Sequence, residues 1–202
     1  MSDLPVSLPA ELEPAFLDAF DPTGKLVAAI TALGEIEDRD VLVVGASAGP
    51  IVDGLRAAGG RLSFAPDANP VRFAAVADAS VDVVLGLWSA FRGVEPAEST
   101  EVDRVLRPGG RQLVVHDYGR DDVSRLFPTD RPEYGAWSHR FGPFLQGGFR
   151  VRVVHCFWEF ETAEAATAFL ASGFGQAGQD LVATLKRPRL SYNVAVYHRA
   201  RS

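Results

Sequence analysis

Cysteine is nearly absent from this sequence: Cys156 is the only one in 202 residues, so no disulfide can form within the chain. Long apolar runs are also missing, since none approaches the ~20 residues that a membrane-spanning helix needs. The acidic N-terminal residues lack the basic start and apolar core of a signal peptide. Four scattered histidines and one cysteine match no metal-ligand spacing. We therefore expect a cytoplasmic protein without a membrane partner and without a metal.

Positive charge is scarce at the start of the chain. The net charge is −6, and residues 1–40 carry nine acidic side chains against Lys25 and Arg39. An acidic chain binds nucleic acid poorly without sequence recognition, so we expect no nucleic-acid partner. The small basic group Lys186, Arg187 and Arg189 is interpreted as a solvated loop. Phosphate loops ending in Gly-Lys-Ser/Thr and Gly-x-Ser-x-Gly elbows are absent as well.

Helical and extended patterns alternate along the chain. Apolar spacing predicts helices at 9–20 and 24–33, and β-branched runs predict strands at 41–44, 61–65, 81–87 and 112–115. Pro50 suits the first position of a helix over 50–58, and a helix ending near 106 is predicted to stop at the turn 107–110. Strands at 149–157 and 192–197 flank a helix at 163–171, while 128–148 is interpreted as a long loop.

This alternation predicts an α/β fold with a doubly wound, mostly parallel sheet covered by helices on both faces. The last two strands are predicted to form an antiparallel pair at one edge of that sheet. No linker, repeat or low-complexity segment interrupts the chain. We therefore predict one domain over 1–202, with 1–40 as an acidic helical extension.

Several separated segments resemble the class I S-adenosylmethionine-dependent methyltransferases. The segment VLVVGASAGP resembles their first motif, and RLSFAPDANP resembles their second strand with its terminal acid. ADASVDVVLGLW resembles the approach to their fourth strand, and EVDRVLRPGGRQLVVHDYG resembles the helix, turn and fifth strand that follow. RPRLSYNVAVYHR fits a closing strand, so the resemblance covers about 25–200.

The resemblance implies a Rossmann-like fold, S-adenosylmethionine (SAM) as cofactor and methyl transfer to a small-molecule acceptor. The acceptor would lie beneath residues 128–148 and the N-terminal helices. His116 and His139 are the candidate catalytic residues, as a general base and a substrate contact. The candidate cofactor-binding residues are Gly45, Ala46, Ser47, Gly49, Asp67, Ala68, Asp78, Leu87 and Trp88.

The sequence also departs from the family pattern. Val43 stands where the family has an acid that holds the cofactor's amino-acid end, and Ser47 replaces a loop glycine. Only ten residues separate Asp67 from Asp78, too few for the helix and the third strand that the family places there. The segment could form one short strand at 71–76 or an irregular crossover.

These departures leave alternative interpretations open. Asp67 could accept both ribose hydroxyls or belong to a Pro-Asp turn, and Asp78 could contact adenine or lie in a solvated turn. Trp88 could cover a sulfonium or pack in the core. The whole chain could be a non-catalytic binding or scaffold protein that has lost its cofactor. A homodimer that buries the shortened edge of the sheet is also possible.

Overall fold

A central sheet organises the protein in the computed structural model, which describes residues 5–6, 8–67, 73–127 and 131–201. Within those residues the sheet has six strands in the order β2-β1-β3-β4-β6-β5. The strands are β1 Asp40–Val44, β2 Arg61–Ala65, β3 Val81–Leu87, β4 Leu106–Asp117, β5 Arg150–Glu159 and β6 Arg189–Ala200.

Six α-helices surround this sheet in the described part of the chain: α1 Glu13–Ala19, α2 Lys25–Gly34, α3 Pro50–Ala57, α4 Pro96–Val105, α5 Pro143–Gln146 and α6 Ala163–Val182. Short 3₁₀ turns occupy Ala10–Leu12, Val123–Leu126 and Pro132–Tyr134. Helix α6 continues well beyond the predicted end at residue 171, with a non-helical backbone at Gly175. Not one of these helices is both long and apolar enough to cross a membrane.

Strand directions confirm the predicted fold class. Strands β1 to β4 run parallel to one another, whereas β6 pairs antiparallel with both β4 and β5. The predicted antiparallel pair is therefore present at one edge. The predicted turn at 107–110 is wrong, because β4 begins directly after α4 and includes these residues. The register with β3 shifts at this point, where Gly109 has φ 76°, so the extra residues are accommodated as an irregularity within the strand.

The two faces of the sheet bury separate sets of helices. Helices α1, α2, α3 and α6 pack on one face, with Phe16, Ile30, Leu55 and Phe169 in a single apolar cluster. On the other face, Val102 and Val105 of α4 cover β1 and β3. A third cluster places Trp137 and Phe144 against β4 and β6. The acidic N-terminal helices therefore share the main core.

The shortened segment before β3 contains turns rather than a strand. Residues 73–80 have no helix or strand, and the rest of the predicted strand 71–76 lies outside the described residues. Phe73 is buried and meets Phe91 edge to face, with ring centroids 5.5 Å apart. These two rings cover the sheet face with α4. Strand β2 is consequently an edge strand in the described structure, paired with β1 alone.

Candidate functional site

The carboxyl ends of four parallel strands meet at one edge of the sheet. Gly45 follows β1, Asp67 lies just beyond β2, Trp88 follows β3, and His116 is near the carboxyl end of β4. Ligands of open α/β sheets bind along this edge. A cavity of about 220 Å³ opens here between the ends of β1 and β2, and it is lined by Gly45, Ala46, Ser47, Phe64, Ala65, Pro66 and Asp67.

Gly45 has a φ of 93°, a backbone conformation that favours glycine and lets other atoms come close to the chain. The atoms that come close belong to the protein itself: a Cβ on Gly45 would lie 2.5 Å from Cβ of Ser89 and 3.2 Å from the carbonyl oxygen of Leu87. Ser89 is buried, and its hydroxyl donates to the carbonyl of Phe91 at 3.2 Å. The space that the missing side chain leaves is thus filled by the loop after β3.

Asp67 holds that same loop from the other side. One carboxylate oxygen accepts the backbone N–H of Ala90 at 3.0 Å, and the other accepts the backbone N–H of Phe91 at 3.2 Å. Both oxygens of the candidate ribose ligand are therefore engaged by main-chain donors. We call residues 88–92 the β3 loop. Two sets of contacts hold the β3 loop across the ends of β1 and β2. Ser89 packs against Gly45, and the Asp67 carboxylate accepts hydrogen bonds from Ala90 and Phe91.

The rest of the loop after β1 agrees with the sequence prediction. Ala46 is buried and Ser47 is exposed at the cavity. Gly49 has φ 127° and precedes Pro50, which opens α3 as predicted. Ala68 lies outside the described residues. The structure therefore brings Gly45, Ala46, Ser47 and Asp67 together at one cavity.

Asp78 does not reach this edge. It lies in a turn before Val81, at the amino end of β3, whereas the cavity is beyond the carboxyl ends of the strands. The six steps between the seven residues of β3, at ~3.3 Å each, place its two ends about 20 Å apart. The Asp78 carboxylate instead accepts a hydrogen bond from the guanidinium of Arg104 at 2.6 Å and is 78% exposed. Its position agrees with the solvated-turn interpretation.

Trp88 is half-buried against the main cluster and also makes a polar contact. Its ring lies 6.2 Å from that of Phe20 in the main cluster, and its Nε1 donates to Oδ1 of Asp117 at 2.9 Å. Its φ of 41° turns the chain sharply after the buried Leu87. The indole is thus fixed by the protein, in line with the core interpretation.

Asp117 is the polar centre that the sequence did not single out. It is 4% exposed, and the hydroxyl of Tyr192 donates to the same oxygen as Trp88. Arg131 approaches the other oxygen at 3.8 Å. Burial raises the pKa of Asp117, and the donated hydrogen bonds oppose that rise. No local motif marks this residue, because Tyr192 and Arg131 come from distant parts of the chain.

His116 is buried at the same strand end, on the opposite face from Asp117. Burial, and next the charge of Arg92, lower its pKa to about 4, so the ring is neutral near pH 7. The ring nitrogen Nε2 is buried without a hydrogen-bond partner in the described structure. Trp137 covers the ring edge to face at 4.8 Å.

His139 is exposed, and its Nδ1 accepts the backbone N–H of Phe141 at 3.3 Å.

Comparison with solved structures identifies the architecture. A candidate type II methyltransferase of Anaeromyxobacter dehalogenans superposes with a TM-score of 0.55 at 17% identity, covering 87% of this chain and 96% of that one. This chain has the methyltransferase fold. A SAM-dependent methyltransferase of Aquifex aeolicus aligns with a TM-score of 0.46 at 17% identity, covering 96% of this chain and 98% of that one. No protein-family model and no curated protein matches the sequence.

The methyltransferase fold implies SAM as its cofactor, and the residues at the candidate site do not fit that molecule in the observed conformation. The position of the family's acid on β1 is the fully buried Val43. Ser89 of the β3 loop lies against Gly45, and the carboxylate of Asp67 is bonded to the same loop. The cavity of about 220 Å³ is also smaller than the ~300–1,000 Å³ of typical ligand pockets. Among the described residues, no cluster of histidine, cysteine and acidic side chains could hold a metal ion.

Proposed function

We propose that this chain is a non-catalytic protein of methyltransferase fold, which acts by binding and no longer uses SAM as a methyl donor. The main support is that both carboxylate oxygens of Asp67 already accept hydrogen bonds, from the backbone N–H groups of Ala90 and Phe91. A ribose would have to compete with two intramolecular hydrogen bonds that cost no association entropy. The cavity beside Asp67 has room for a small ligand, which we expect to be nucleoside-sized or smaller.

The chemistry near the strand ends supports the same proposal. A general base works best when its pKa lies near the working pH. The pKa of His116 is lowered to about 4 and its free nitrogen is enclosed, so it accepts protons poorly near neutrality. The half-buried Trp88 donates its Nε1 hydrogen to Asp117 and packs against the main cluster, so its indole is already held by the protein.

One observation favours a second candidate, a SAM-dependent methyltransferase that acts on a small molecule. The cavity lies between the glycine loop after β1 and the end of β2, where this fold places its nucleotide ligands. For this function the β3 loop must leave Asp67 and Gly45 when the cofactor binds. Methyl transfer would then depend mainly on alignment of donor and acceptor.

A titration with SAM distinguishes the two candidates. We expect no binding heat and no thermal shift for the wild-type protein at about 1 mM SAM or S-adenosylhomocysteine. A site with a Kd of about 10 μM would stabilise the protein by about 2.7 kcal/mol at that concentration, a shift easily detected. Micromolar binding that Asp67→Ala abolishes, while Asp78→Ala retains it, would overturn the proposal and support the enzyme.

A second variant tests the role of the β3 loop. Ser89→Gly removes the side chain that lies against Gly45. If the loop alone closes an otherwise competent site, this variant should bind SAM measurably when the wild type does not. If neither protein binds, the absence of an acid at Val43 and the short segment before β3 are sufficient to account for the loss.

A further inference from the structure

The outer edge of β2 carries backbone groups with no partner in the described structure. The N–H of Arg61 donates to the carbonyl of Arg39 at 2.9 Å, so the backbone of Arg61 faces β1. Successive residues of a strand point their N–H and C=O groups to opposite sides. The backbones of Leu62 and Phe64 therefore face outward, and β2 pairs with β1 alone.

The opposite edge of the sheet is protected, whereas no strand among the described residues pairs with the outer edge of β2. On β5 the exposed Arg150 and Arg152 lie on the edge strand, and the Lys25 ammonium donates to the carbonyl of His155 at 3.3 Å. The backbone N–H of Asp21 also donates to the carbonyl of Phe157. Charged residues and covering segments are the usual defences of edge strands. Strand β2 has no proline, its one charged residue, Arg61, is paired with Asp40 of β1 at 2.7 Å, and its Phe64 side chain is 40% exposed.

We propose that the outer edge of β2 pairs antiparallel with β2 of a second copy of this chain, across a two-fold axis through Ser63. In this register Leu62 lies opposite the partner's Phe64, and Phe64 opposite the partner's Leu62. All four residues have outward backbone groups, so the register makes two hydrogen-bonded pairs with four N–H···O=C bonds. A shift by one residue would place inward-facing groups opposite outward-facing ones and lose these bonds.

The side chains also suit this register. Leu62 and Phe64 lie on one face, where cross-strand aromatic–aliphatic pairs stabilise antiparallel sheets. On the other face Ser63 meets its own symmetry mate as a non-hydrogen-bonded pair, with Cα atoms about 4.5 Å apart, and serine is small enough for that distance. Arg61 lies opposite the partner's Ala65, so no like charges face each other across the strands.

The flanking helices add complementary charge. Strands are spaced about 4.8 Å apart, so the two copies of β1 would lie about 14 Å apart, with both α3 helices on the same face. The two-fold axis makes these helices antiparallel. Asp53 and Arg56 of α3 form an ion pair at 2.9 Å within each helix and stay 71% and 48% exposed, so the partner helix meets a charge pair of both signs. The interface is small, and we expect a dissociation constant in the micromolar range.

Oxidative cross-linking tests the register directly. The ~4.5 Å between the two Ser63 Cα atoms lies within the ~4.4–6.8 Å that disulfides require. Ser63→Cys should therefore form a disulfide-linked dimer on mild oxidation. Arg152→Cys, on the exposed β5 edge, is the matched control and should remain monomeric. Cys156 is buried and does not interfere. Cross-linking at Arg152→Cys but not at Ser63→Cys would overturn the proposal.

Sedimentation equilibrium tests the dimer without cross-linking. Ser63→Asp puts two carboxylates face to face at the axis, and Leu62→Pro removes an outward N–H; each should weaken dimerisation at least tenfold. Circular dichroism must show the wild-type fold for both variants, as expected at an edge strand. A wild-type protein that is monomeric at about 100 μM, or a dimer that both variants retain, would refute the proposal. Neither result depends on SAM binding, so the dimer proposal can fail while the proposed function stands, and the reverse also holds.

Discussion

Ser89 packs directly against Gly45 where β3 and β1 reach their carboxyl ends. The contact is so close that a Cβ on Gly45 would come within 2.5 Å of the Ser89 Cβ. The glycine is therefore required by the protein's own packing as well as by its φ of 93°. A glycine-rich turn after a buried strand is consequently insufficient to establish a ligand site.

Substitution of Gly45 separates steric crowding from backbone strain. Gly45→Ala should lower the free energy of unfolding by about 3 kcal/mol, since overpacking adds to the cost of the positive φ. Gly24→Ala is the control: Gly24 has φ 65°, and a Cβ at this position would meet no atom within 4 Å, so a loss of only ~1 kcal/mol is expected. Urea unfolding measures both. Equal losses would show that Ser89 does not crowd Gly45.

Removal of the Asp67 carboxylate should loosen the β3 loop. Two hydrogen bonds to a charged acceptor support an expected loss of about 2 kcal/mol for Asp67→Ala. The exposed pair of Asp78 with Arg104 should cost less than about 0.5 kcal/mol in Asp78→Ala. Hydrogen exchange gives a local readout: the amides of Ala90 and Phe91 should exchange faster in Asp67→Ala alone. Unchanged exchange there would contradict the two assigned bonds.

His116 should make the protein less stable at mildly acidic pH. Its folded-state pKa of about 4 lies below the ordinary value of 6.5. The unfolded chain therefore binds a proton first as the pH falls, and stability is lost between about pH 6.5 and 4. Linkage gives a loss of about 2 kcal/mol between pH 7.5 and 5.

The matched variant for that measurement is His116→Gln, which keeps a polar side chain but does not titrate. Urea unfolding at both pH values should show a smaller loss in the variant, by about 2 kcal/mol. Contributions of Asp21, Asp117 and Asp121, whose pKa values are raised by burial, are common to both proteins and cancel in the difference. Identical pH dependence would show that His116 is accessible to solvent protons in the folded state.

The single thiol should be inert in the folded protein. Cys156 is 1% exposed, and burial, followed by the charge of Asp21, raises its pKa to about 12. The thiolate is the reactive form, so a thiol reagent at about pH 8 should modify the native protein far more slowly than the protein unfolded in guanidinium. Rapid modification of the native protein would show that β5 opens from α1 and α2.

The predicted elements agree with the structure where local signals are strong. Strands β2 and β3 have the predicted limits, because short runs rich in apolar residues end at glycine, proline or turn residues. The true end of α6 has no such signal, since its continuation through glycines is stabilised by packing of Leu181 in the main core. Asp78 precedes the predicted strand 81–87 and therefore lies at its amino end, away from the cavity; the adenine contact was implied by the resemblance and not by the strand direction.

By itself the sequence determined the α/β alternation, the parallel direction of the first strands, the antiparallel edge, and the meeting of Gly45, Ala46, Ser47 and Asp67 at one strand edge. Those features follow from periodicity, turn chemistry and the direction of parallel strands. Only the tertiary structure decided what Asp67 binds and what covers Gly45. Ala90 and Phe91 are 23 and 24 residues from Asp67 along the chain, and no local pattern encodes a contact that depends on where the sheet places two separate loops.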